Sequence, residues 1–184
     1  YRSMELAPLA READVQRRAS KPALAGWLLF DFAHQPFYTL IQTFLFAPYF
    51  ATAVVGDPDK GQALWGYAAA AAGVIVALGS PILGAIADTG MRRKPWILAF
   101  GAVFIAGLAT LWLATPNLTG LPFVLVLVAY AATFAAAEFA AVFSNAIMPT
   151  LAPKSELGRL SGLGWGLGYA GGLVSLMLVA GLIV

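Results

Sequence analysis

The chain of 184 residues is 60% hydrophobic and only 11% charged, with a mean hydropathy of +0.80, whereas a soluble domain carries about 25% charged residues. That balance excludes an ordinary water-soluble enzyme and describes a chain whose main solvent is lipid. The net charge of +2 carries no nucleic-acid signal, because every basic residue has a topological explanation, and the absence of cysteine excludes disulfides, thiolate metal sites and cysteine nucleophiles.

Residues 1–22 read as a tail. Charges of both signs interrupt any wide apolar face there, so a solvated segment is expected rather than an interfacial amphipathic helix. The first apolar run is too long for the apolar core of a signal peptide, about 7 to 15 residues, and is expected to stay in the protein. Crossing a bilayer core of about 30 Å takes about 20 mostly apolar residues. Five such runs follow, at 23–50, 63–87, 96–115, 121–148 and 160–184. Turn chemistry separates them: Gly56-Asp57-Pro58-Asp59, Gly90 with Pro95, Thr115-Pro116-Asn117, and Pro149 with Pro153. Backbone amides in lipid must be satisfied internally, and the runs are too long and evenly apolar for barrel strands, so the fold class is all-α.

Basic residues are retained on the cytoplasmic side during insertion. Arg2, Arg11, Arg17, Arg18 and Lys21 precede the first span, Arg92, Arg93 and Lys94 follow the second, and Lys154 and Arg159 separate the fourth from the fifth. Only Lys60 of the 11 basic residues falls elsewhere. This predicts a cytoplasmic amino terminus and, in a bacterium, a place in the inner membrane.

A carboxylate at mid-bilayer costs about 2.5 to 3.5 kcal/mol, so each one needs a partner or a wet cavity. In the first span Asp31, Gln35, Tyr38 and Gln42 step by four, three and four, which stacks them on one face if the helix is regular, with His34 beside Gln35. In the fourth span Glu138 and Asn145 share a face. At about 1.5 Å of rise per residue, Asp31 lies roughly 12 Å and Glu138 roughly 15 Å inside its span from the same side. A shared cavity would gather Asp31, His34 and Glu138 near the midplane, suited to proton coupling or a charged solute. The plainer alternative has Asp31 and His34 satisfying each other while Glu138 bonds a neighbouring helix. In the fifth span two glycine ladders, Gly158-Gly162-Gly166 and Gly164-Gly168-Gly172, predict close helix packing. Trp165 and Tyr169 beside them read as packing or interface aromatics.

The loop after the second span reads Gly84-Ala85-Ile86-Ala87-Asp88-Thr89-Gly90-Met91-Arg92-Arg93-Lys94. It resembles the cytoplasmic loop signature of the major facilitator superfamily, matching at Gly84, Asp88, Arg92 and Arg93, with Thr89 where a basic residue is common and Gly90 one position early. Two further stretches resemble a narrower branch, the autophagy-linked vacuolar amino-acid effluxers and their bacterial relatives. These are Gly26-Trp27-Leu28-Leu29-Phe30-Asp31-Phe32-Ala33-His34-Gln35-Pro36-Phe37-Tyr38 and the region from Asn145 through Pro149 and Pro153 to Tyr169. Phe30, Phe32, His34 and Gln35 depart from that branch's pattern.

The resemblance implies a secondary transporter working by alternating access, with twelve helices in two six-helix halves. This chain would supply about five of the six spans of the amino-terminal bundle, the first and fourth lining a central cavity. Asp88 in the loop would help hold the outward-facing state. Its partners would be the lipid bilayer, a small-molecule substrate, and further helices from the same gene product, a second chain or a second copy. No cofactor, metal site or nucleophile motif is read from the residues. A rival reading is a non-transporting scaffold or assembly subunit on the same fold, and a weaker one is a membrane enzyme using Asp31, His34 and Glu138 as acid and base.

Overall fold

The computed structural model describes residues 19–89 and 92–183, and every regular element among them is helical. The tail expected at 1–22 lies outside the described residues up to position 18. Its end is already structured, since Ala19 N–H donates to the Leu151 carbonyl (3.1 Å) and helix α1 (Lys21–Pro36) begins two residues later. Among the described residues five stretches are long and apolar enough to cross a membrane: Lys21–Val54, Pro58–Asp88, Arg93–Leu113, Gly120–Thr150 and Lys154–Leu182.

The first span is not one regular helix. After α1 the chain continues as a π-helix over Phe37–Phe44, a short α2 (Phe46–Tyr49) and a second π-helical turn, Phe50–Val54. Each π stretch follows a proline closely, Pro36 in the first case and Pro48 in the second. Proline has no N–H for the α-helical ladder and its ring crowds the preceding turn, so the backbone re-pairs with a wider spacing. Leu45 N–H thus bonds the Leu40 carbonyl, and Val55 N–H bonds that of Phe50, both at 2.9 Å.

The second span, α3 (Pro58–Asp88), starts five residues before the apolar run read from sequence. Asp57 caps it by accepting from Lys60 N–H (3.1 Å), and Pro58 at the first helical position needs no donor partner. The third span is α4 (Arg93–Thr110) closed by a 3-10 turn, Leu111–Leu113. The fourth is α5 (Gly120–Ile147), and after two 3-10 turns the fifth is α6 (Leu157–Ile183).

The chain divides into two compact units, Tyr1–Pro36 with Ile147–Val184, and Phe37–Ala146. In the first, α1 packs along α6, and Trp27, Leu151 and Leu160 form a small buried cluster. In the second, a larger core gathers Phe37, Phe50, Trp65, Phe104, Val126 and Tyr130. Helix α3 contributes one stripe, Gly61, Trp65, Ala72 and Gly79, with Gly61 against Ala51 and Gly79 against the Phe139 ring. Its other faces expose Tyr67, Leu78 and Ile82, as a lipid-facing helix does. The end of the first span is fastened to the loop after the third, because Asn117 N–H donates to Ala53 O (2.9 Å) and Tyr49 OH to Ala114 O (2.8 Å). Gly56 and Asn117 both take the left-handed conformation (φ 74° and 57°) that these turns require.

Candidate functional site

Within the unit Phe37–Ala146, the first and fourth spans meet through polar groups. Tyr38 OH donates to Glu138 Oε1 at 2.8 Å. The phenol is steered by its neighbours: Phe37 is buried, lies edge-on to Tyr38 (5.2 Å) and edge-on to Phe104 (5.4 Å), which fixes the first turn of the π-helix. Glu138 sits on α5 between the buried Ala137 and Phe139, and Ala135, Ala136 and Ala140 keep this part of the helix slim. A half-buried carboxyl group among alanines and aromatic rings thereby gains a donor from a different span, which offsets part of its desolvation cost.

A cavity of about 450 Å³ in the same unit is lined by Gln42, Pro48, Thr52, Pro58, Gln62 and Trp65. Gln42 Oε1 and Trp65 Nε1 are buried without a hydrogen-bond partner among the described residues, and the same is true of Tyr130 OH. Trp65 and Tyr130 stack at 3.6 Å and 18°, the closest ring pair of the core. Of these, Gln42 and Trp65 line the cavity, where a hydrogen bond from a polar guest would offset the cost of their desolvation.

Asp31, His34 and Gln35 belong to the other unit. The Asp31 side chain lies against glycine backbone on α6: a Cβ placed on Gly164 would come within 2.8 Å of Asp31 Oδ2 and 3.1 Å of the Trp27 ring. A Cβ on Gly168 would approach Asp31 and the Gln35 Oε1 at 3.7 and 3.8 Å. His34 Nδ1 is 3.3 Å from the Phe30 carbonyl on its own helix, and its ring lies 4.1 Å from that of Phe30. The α-helical period that stacks Asp31, Gln35, Tyr38 and Gln42 in sequence ends at Pro36, so Tyr38 and Gln42 follow the π spacing instead.

Of the two glycine ladders, the one through Gly164 and Gly168 meets α1 and also has Gly172 buried, its carbonyl accepting from Ser175 Oγ (2.7 Å). A Cβ on Gly162 or Gly166 would meet nothing among the described residues within 4 Å. Gly171, outside both ladders, makes the tightest glycine approach on α6, to the Phe32 carbonyl. It falls seven residues after Gly164, close to two helical turns, whereas a strict four-residue ladder drifts off that face.

Asn145 is exposed near the end of α5, beside the buried Ser144. At the end of α3, Gly84 is half-buried with no described atom within 4 Å of where a Cβ would stand and Asp88 is the exposed last residue of the helix, while Arg92 is the residue preceding α4. Arg93 Nε donates to the Ala87 carbonyl at 2.9 Å, closing the end of α3. Trp65, Tyr130 and Gln62 were missed in sequence, although tryptophan, tyrosine and glutamine inside apolar spans are the available signal.

These elements define an all-α, multi-pass integral membrane protein. The profile of the Major Facilitator Superfamily matches residues 6–176, and the chain belongs to that family. A relative in Bacillus subtilis (strain 168), the uncharacterized MFS-type transporter YxiO, is 28% identical over 160 residues. The match covers 83% of this chain and 36% of the relative, so the chain spans well under half of that protein's length. No solved structure matches the chain.

Proposed function

We propose that the chain is part of a secondary transporter that moves a small, amino-acid-like solute by alternating access and has no enzymatic role. The observation that carries this reading is the family match over residues 6–176, beside which the Tyr38–Glu138 hydrogen bond joins a carboxyl group to a second span. A carboxyl group costs too much in an apolar helix to be kept there as filler, and a phenol donor from another span holds it at one place. Family membership and the name of YxiO support the same conclusion. In this reading Glu138 of one unit and Asp31 of the other are the candidate proton carriers, with Gln42 and Asn145 in the first and His34 and Gln35 in the second as polar groups for a solute. Asp88 takes part in gating the cytoplasmic mouth, with Gly84, Arg92 and Arg93 shaping the loop. In the same reading the amino terminus is cytoplasmic, which the distribution of basic residues supports, and in a bacterium the membrane is the inner one. Further helices, from the same gene product or another chain, complete the transporter.

The test is uptake of a panel of amino acids into proteoliposomes holding the whole gene product, with and without a pH gradient. Wild type is expected to respond to the gradient and Glu138→Gln to lose that response. Unchanged gradient dependence in Glu138→Gln removes the coupling role. No uptake or exchange of any solute supports the scaffold reading instead.

A further inference from the structure

The unit formed by Tyr1–Pro36 and Ile147–Val184 has a cleft of its own, of about 490 Å³, where α1 and α6 begin. Its lining includes Lys21, Leu24, Glu156, Arg159, Leu160 and Leu163. We propose that this cleft binds an anionic phospholipid, its phosphodiester between Lys21 and Arg159 and an acyl chain along Leu24, Leu160 and Leu163.

Lys21 is the first residue of α1, and Arg159 lies in the first turn of α6, so both cations stand at the ends of spans, where hydrocarbon gives way to water. Both are exposed. Among the described residues the cleft is lined by two cations and one carboxylate, Glu156, a positive balance matched by a singly charged phosphodiester. Below the charges the wall turns apolar, and Leu163 is 49% exposed. A free phosphate ion has no use for that wall, whereas a lipid presents its charge and its chain in the same order as the cleft. The floor is fixed, because Leu151 and Leu160 are buried with Trp27, and Ala19 N–H is bonded to Leu151 O at 3.1 Å. Basic pockets between spans are known to hold acidic headgroups.

The proposal is independent of transport, so a failed uptake assay leaves it standing. The experiment is native mass spectrometry of the detergent-solubilised whole gene product titrated with phosphatidylglycerol or phosphatidylcholine. Wild type is expected to retain phosphatidylglycerol with a preference on the order of tenfold, the size two basic groups at an anionic headgroup give. Lys21→Gln with Arg159→Gln should abolish the preference, and Lys21→Arg with Arg159→Lys should keep it, which shows that charge and not folding is read. Equal retention of the two lipids by wild type, or an undiminished preference in the glutamine variant, overturns the proposal. So does displacement of the lipid by millimolar inorganic phosphate, which identifies a soluble anion as the occupant.

Discussion

Helices α1 and α6 come together over glycine alone among their close approaches, whereas the spans of Phe37–Ala146 add to their glycine contacts, Gly61 on Ala51 and Gly107 on Thr133, a core of aromatic rings. In the first case backbone meets backbone: Gly171 faces the Phe32 carbonyl, and Gly164 leaves the room that Trp27 and the Asp31 carboxyl group occupy. In the second, side chains interlock, with Trp65 on Tyr130 (3.6 Å) and Trp96 parallel to Phe143 (5.4 Å). Both solve the same problem. Lipid supplies no hydrophobic drive between helices, so close van der Waals contact has to supply the attraction. The solutions differ in what they leave for chemistry. Glycine packing has no slack and holds Asp31 against a bare backbone. Aromatic packing leaves polar atoms inside, Gln42 Oε1, Trp65 Nε1 and Tyr130 OH, and sets Tyr38 where it can donate to Glu138.

The contrast can be broken most severely from the aromatic side. Trp65→Ala removes the ring between Phe46, Phe50 and Tyr130, and a loss of about 3–5 kcal/mol is expected, as for large-to-small aromatic changes in a core. Thermal unfolding of the solubilised protein should show it as a clear fall in Tm. Gly171→Ala attacks the glycine side with a single methyl group that has to displace the Phe32 carbonyl, at about 1–3 kcal/mol. If its Tm equals that of wild type, the helices are not held as close as described. Tyr38→Phe takes only the hydroxyl from Glu138, and interhelical hydrogen bonds in membranes average about 0.6 kcal/mol. A small stability loss is therefore expected, together with a larger effect on uptake, and a double-mutant cycle with Glu138→Gln measures the coupling. Gly166→Ala sharpens the comparison from the other end, since its Cβ meets open space, and the change should stay within about 0.5 kcal/mol. An effect as large as that of Gly171→Ala would erase the distinction between the two glycine faces.

Much of the fold was legible because lipid imposes simple rules. Five apolar runs separated by turn residues predict five spans, and Asp57-Pro58 carries both the cap and the first residue of α3. The candidate site was legible residue by residue but not in its pairings. Tyr38 and Glu138 were both singled out as costly groups in apolar spans, yet their hydrogen bond joins residues a hundred positions apart, and no local pattern encodes that. The face drawn through Asp31, Gln35, Tyr38 and Gln42 assumed an α-helical period that Pro36 interrupts. Proline at 36 and 48 was a visible warning, but how the chain re-pairs after a proline depends on what surrounds it. Gly171 lies outside both four-residue ladders, because the contact with α1 repeats after seven residues, close to two helical turns.

The sequence by itself decided the solvent, the helical class and the number of spans, since these follow from apolar length and from the need to satisfy every backbone amide inside lipid. Tertiary structure alone decided which of two equally spaced glycine faces carries a neighbour, which ring lies on Trp65, and which donor reaches Glu138. Those outcomes depend on contacts between segments remote in the chain, and whether a side chain fits there is a property of the space its neighbours leave.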